Sequence, residues 1–140
     1  MQARSNPVAE DSVMAFKPAL ADCLLVALGS GAGGLARYLL GGWVSGRTGP
    51  GFPWGTFVVN VSGCFLLGLL MGVLGERQPT PWPGWRLLLG VGFLGGYTTF
   101  STLMYETWRL GPRVGGLNFL ASGAAGYLAT LVGARLARGG

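Results

Sequence analysis

The chain has 140 residues, half of them hydrophobic, with 10 basic and 5 acidic side chains. Charged residues make up 11% against about a quarter in a soluble domain, and mean hydropathy is +0.48, so an ordinary water-soluble fold is excluded and lipid is the implied solvent. Histidine is absent, which removes histidine acid–base chemistry and histidine metal sites, and the basic residues are scattered singly rather than gathered into the stripe that nucleic acid requires.

Residues 1–19 open with "MQARSNPVAEDSVMAFKP" and read as a mobile polar tail. A bilayer-spanning helix needs about 20 mostly apolar residues. The first candidate lies near 20–42, where "CLLVALGSGAGGLA" runs from Asp22 to Arg37 and "YLLGGWVSG" follows. No small-residue cleavage pattern accompanies it, so it reads as a mature helix rather than a signal peptide. Arg37 falls two-thirds along this span. It has two readings: a long basic side chain that snorkels to the interface, or the lining of an aqueous vestibule that draws anions. Cys23 and Cys64 both sit inside apolar runs and read as small buried hydrophobes.

The connector "SGRTGPGFP" separates the first two spans. No charge occurs from Thr48 to Gly75, which places the second span near 54–75. Asn60 lies deep within it, in "WGTFVVNVSGCFLLG". An amide there can bond a neighbouring helix, or it can offer its two N–H groups to an anion in a water-filled pore.

The third span, near 85–108, follows the proline-rich connector "ERQPTPWPGW". Its centre, "GGYTTFSTL", combines adjacent glycines with β-branched threonines, both of which weaken a helix. A break there would free carbonyl oxygens, tolerated at membrane depth only inside protein or along a cavity. Such oxygens suit sodium. The hydroxyls of Thr98, Thr99, Ser101 and Thr102 can satisfy loosened backbone or face an ion. Phe100 can turn its positive ring edge to an anion. Glu106, beside Trp108 and Arg109, reads as a helix-end carboxylate or a hydrogen-bonded anchor.

"RLGPRVGG" leads into a fourth span near 114–136. Asn118 and Ser122, four apart, share one face; Gly126 continues it, with Tyr127 and Thr130 nearby. This face is either a small-residue packing seam or a polar track beside a pore. Trp43, Trp54, Trp82, Trp85 and Trp108 all fall near proposed span ends, as in an aromatic belt. Four spans put both termini on one side of the membrane. That side holds Arg4, Lys17, Arg77, Arg86, Arg135 and Arg138, and the other holds Arg37, Arg47, Arg109 and Arg113. So small a bias is compatible with insertion in both orientations, and two opposed copies could form an antiparallel dimer.

Three pieces, "GAGGLARY", "GTFVVNVSGCFLLG" and "GFLGGYTTFSTLMYE", occur in an order and spacing that resemble the Fluc/CrcB family of fluoride channels. The resemblance covers nearly all of the chain after residue 20. It implies an all-α membrane protein with four transmembrane helices and a broken third helix, spanning 20–138, assembled as an antiparallel dual-topology homodimer in a cell membrane. It implies two fluoride pores and no enzymatic activity; the role is passive fluoride efflux that lowers cytoplasmic fluoride. By motif position the pore residues would be Asn60, Phe100, Thr102, Asn118 and Ser122, with Arg37 at a vestibule and Glu106 at the helix end. A structural sodium ion would be held by the backbone carbonyls of Gly95 and Thr98 with those of the second copy. Leu103 stands where the family usually carries a second phenylalanine, and it has no quadrupole edge. Two rivals remain. A proton-coupled exporter needs a deep ionisable residue, and a purely structural subunit has no need of Asn60 together with the hydroxyl-rich bend.

Overall fold

The computed structural model describes residues 19–75 and 83–139. The tail expected over 1–19, apart from Ala19, lies outside the described residues, as does Trp82. Among the described residues every regular element is helical. We label them α1 (Leu20–Thr48), α2 (Trp54–Leu74), α3 (83–97), α4 (Phe100–Arg109) and α5 (Gly111–Ala137). Four segments are long and apolar enough to cross a bilayer: α1, α2, Arg86–Arg109 and α5.

α1 runs beyond the expected end near residue 42, through Gly41 and Gly42 to Thr48. Gly41 does not stop the helix because tertiary packing outweighs its low propensity. A Cβ at Gly55 of α2 would strike the Gly41 carbonyl, so the two backbones lie in near contact. The true stop is Gly49, whose φ of 76° is in the left-handed region that favours glycine. Gly75 ends α2 with φ 62°, and its N–H caps the Met71 carbonyl at 2.9 Å. Gly111, with φ 75°, turns the chain from α4 into α5.

Lipid removes the hydrophobic drive between helices, so close backbone approach at small residues takes its place. Two seams do this work. Along α1 and α3, Gly29 faces the Leu88 carbonyl, Gly33 faces that of Phe93, and Gly96 faces Ser30. Along α2 and α5, Gly68 faces Thr130, Gly72 faces Ala134 and Gly133 faces Phe65. A small core of Val59, Leu94 and Tyr97 joins the two pairs. Most other large apolar side chains point outward, among them Leu28 (68% exposed) and Leu120 (68%); in a bilayer that is the solvated state. Trp43, Trp54, Trp85 and Trp108 are also exposed.

α3 has an unusual backbone. Between short α-helical turns at Pro83–Trp85 and Gly95–Tyr97 it is π-helical over Arg86–Leu94. Such stretches are rare, mostly a single turn, and frequent at functional sites. Then Thr98 (φ −79°, ψ 157°) and Thr99 (φ −149°, ψ 114°) are extended, and α4 begins at Phe100.

Candidate functional site

The extended pair is where the site is built. Thr99 N–H donates to Asn60 Oδ1 at 2.8 Å, and Asn60 Nδ2 donates back to the Thr99 carbonyl at 3.0 Å. One side chain on α2 therefore satisfies both backbone groups of one residue between α3 and α4. Thr99 also caps α4: its Oγ1 accepts from Thr102 N–H at 3.3 Å and donates to Thr102 Oγ1 at 3.0 Å. The cap side chain thus meets a donor of the first turn.

These diversions have a cost elsewhere. In a continuous helix Thr99 N–H would serve the Gly95 carbonyl, and Thr102 N–H the Thr98 carbonyl. Both donors are turned to side-chain oxygens instead. The carbonyls of Gly95 and Thr98 are left without their helical partners, three residues apart. Thr98 Oγ1 is occupied locally, donating to the Leu94 carbonyl at 3.0 Å.

Asn60, Phe100 and Ser122 come together on one cavity of about 500 Å³ between α2, α4 and α5. Phe100 is 69% exposed and Ser122 is buried. Leu103, the residue that departs from the expected phenylalanine, is buried and lines the same cavity. Asn118 is fully buried behind it; its Nδ2 donates to Thr107 Oγ1 at 3.3 Å, and its Oδ1 accepts from Ser122 Oγ at 3.4 Å. Asn118 thus holds Ser122 and ties α4 to α5. Thr102 is placed differently. It lines a separate recess of about 250 Å³ with Arg37, Tyr38 and Thr56, while Thr99 borders both spaces. Arg37 is half-buried there rather than fully turned to the surface.

Glu106 sits one recess further along, with Ser45 and Arg109. Its Oε1 accepts from Thr56 Oγ1 at 2.8 Å; Oε2 is buried without a hydrogen-bond partner among the described residues. Thr56 was not singled out in the sequence. It lies four before Asn60, so both occupy one face of α2, and that spacing is the signal that could have found it. Ser62 and Tyr97 were also passed over; their hydroxyls meet at 2.8 Å and brace α2 against α3.

Residues 24–134 match the model of the CrcB-like protein, Camphor Resistance (CrcB) family. The chain belongs to the CrcB family. Relatives within it carry the name fluoride-specific ion channel FluC. The protein of Solibacter usitatus is 56% identical over 120 residues, covering 82% of this chain and 97% of its own length. That of Acidobacterium capsulatum is 48% identical over 116 residues, covering 79% and 90%. The Thermus thermophilus protein is 48% identical over 122 residues, covering 81% and 91%. With four apolar helices, this CrcB-family chain is a multi-pass membrane protein.

Proposed function

We propose that the chain is a fluoride-selective channel, not an enzyme, that lets fluoride leave the cytoplasm passively across a cell membrane. The observation that carries this reading is the meeting of Asn60, Phe100 and Ser122 on one cavity. Fluoride is small and strongly hydrated. To cross it must exchange water for donors set closely around it and exchange them back on leaving. Asn60 has one N–H beyond the one given to Thr99, and Phe100 offers a ring edge. Neutral dipoles of this sort hold an anion without trapping it. Arg37, in the neighbouring recess with Thr102, raises the local concentration of anions before they enter. The names of the relatives agree with fluoride as the substrate.

The working unit in this proposal is an antiparallel homodimer of copies inserted both ways. Two features support it. The cavity is bordered by a largely exposed Phe100, which leaves a wall for a second copy to complete. The carbonyls of Gly95 and Thr98, turned from their helical donors, are hard, neutral ligands of the kind sodium takes, and those of two copies around a central axis would give it a fuller shell. The break between α3 and α4 is then the functional element that presents those oxygens. When bound, the ion supplies a fixed positive charge that favours anions nearby. Among the described residues no cluster of three His, Cys, Asp or Glu side chains offers an alternative metal site.

The test is efflux from liposomes holding the purified protein, followed with a fluoride electrode and, separately, a chloride electrode. Fluoride leaves on opening an electrical shunt and chloride stays. Retention of both anions by correctly folded protein overturns the proposal.

A further inference from the structure

The hydroxyls around the cavity are not equally free to serve an anion. Thr130 Oγ1 directs its proton to backbone carbonyls, Gly126 at 3.0 Å and Cys64 at 3.3 Å. Ser122 turns its proton to Asn118. Thr99 donates to Thr102. A hydroxyl has one proton, so in this arrangement each of these gives its proton to the protein rather than to the cavity. At Gly126 there is no side chain, and the Cys64 sulfur occupies the nearby space, 3.2 Å from where a Cβ would stand. A thiol is a weak donor. The end of the cavity around Gly126 and Thr130 is therefore poor in donors, at a distance from Asn60 of more than one helical turn along α2.

Tyr127 lines this end of the cavity. Its hydroxyl has no hydrogen-bond partner among the described residues, and its side chain is 67% exposed. It sits one position beyond Gly126, and four beyond Gly123, where a Cβ would meet nothing within 4 Å.

We propose that Tyr127 supplies the uncommitted O–H donor for fluoride at the Gly126–Thr130 end of the pathway, in place of the hydroxyl that Gly126 lacks. The inference rests on the channel reading above. A donor to an anion is a charge-assisted hydrogen bond, stronger than a neutral one. An exposed phenol with its O–H uncommitted can donate to the ion and release it again.

The test uses full-length protein in liposomes, with wild type as the reference. Tyr127→Phe keeps the ring and removes only the O–H. It is expected to slow fluoride efflux by about tenfold, the scale of one lost hydrogen bond to a charged group, with an unchanged elution profile in detergent. Tyr127→Phe efflux at the wild-type rate overturns the inference. A silent wild type would instead defeat the channel reading itself, so the two failures are distinguishable.

Discussion

Asn60 and Thr99 hold each other by two hydrogen bonds, one from the Thr99 N–H at 2.8 Å and one to the Thr99 carbonyl at 3.0 Å. The side chain does for this one residue what a neighbouring strand would do in a sheet. The amide bonds another segment, and it still has an N–H to spare.

Replacing Asn60 therefore has two separable effects. Asn60→Leu orphans both backbone groups of Thr99, each worth about 1–3 kcal/mol when buried and unmade, and it is expected to stop fluoride efflux and lower the melting midpoint in detergent. Asn60→Asp keeps the acceptor for Thr99 N–H but adds negative charge on the path. It should stop efflux with a smaller loss of midpoint. Equal midpoints for the two variants would show that the Thr99 N–H bond carries no weight.

Thr56 is the hydrogen-bond partner of Glu106, at 2.8 Å. Thr56→Val leaves both carboxylate oxygens without a protein donor, since Oε2 already has none among the described residues. The expected loss is about 1.5–3 kcal/mol, as for a bond to a charged group. Thr56→Ser retains the hydroxyl and should lose much less. Thermal unfolding in detergent compares them; matching midpoints for Val and Ser would remove this bond from the account.

The α1–α3 seam gives a steric prediction with its own control. A Cβ at Gly33 collides with the Phe93 carbonyl, a backbone atom that cannot turn aside. A Cβ at Gly34, the next residue, meets nothing within 4 Å. Gly33→Ala is expected to abolish recovery of monodisperse protein or to destabilise it by more than the usual overpacking cost of about 1–3 kcal/mol, read as a lowered midpoint. Gly34→Ala should be neutral or slightly stabilising, because alanine suits a helix better by about 0.5–1 kcal/mol. Size-exclusion profiles and melts of the pair check this, and similar behaviour of the two would contradict the packing described.

Phe100 tests the ring edge. Phe100→Leu conserves apolar bulk and removes the quadrupole. Fluoride efflux is expected to fall several-fold or more while the protein elutes in detergent as the wild type does. Undiminished efflux would assign Phe100 to packing alone.

Much of the architecture was legible in the sequence because lipid imposes a coarse rule: charge-free runs of sufficient length become helices. The second, third and fourth spans emerge within a few residues of their expected ends. The first runs past its expected end, since Gly41 looks like a breaker when the contact that recruits it, with Gly55, is not in view. The glycine–threonine stretch announced disturbed backbone through propensity. The π-helical run Arg86–Leu94 left no comparable trace, because its apolar composition would suit an α-helix equally. Asn60, Phe100 and Ser122 could be gathered by motif. The placement of Thr102 beside Arg37 could not, because it depends on the angle at which α4 leaves the extended pair.

The cavity beside Asn60 has its least covered margin at the exposed ring of Phe100. A solitary molecule would expose an entering halide to acyl chains along that flank, an environment with no dipoles to offer. Transport should then depend on encounters between molecules: spreading a fixed amount of protein over ever more vesicles, until most hold a single polypeptide, would silence efflux more steeply than occupancy alone requires.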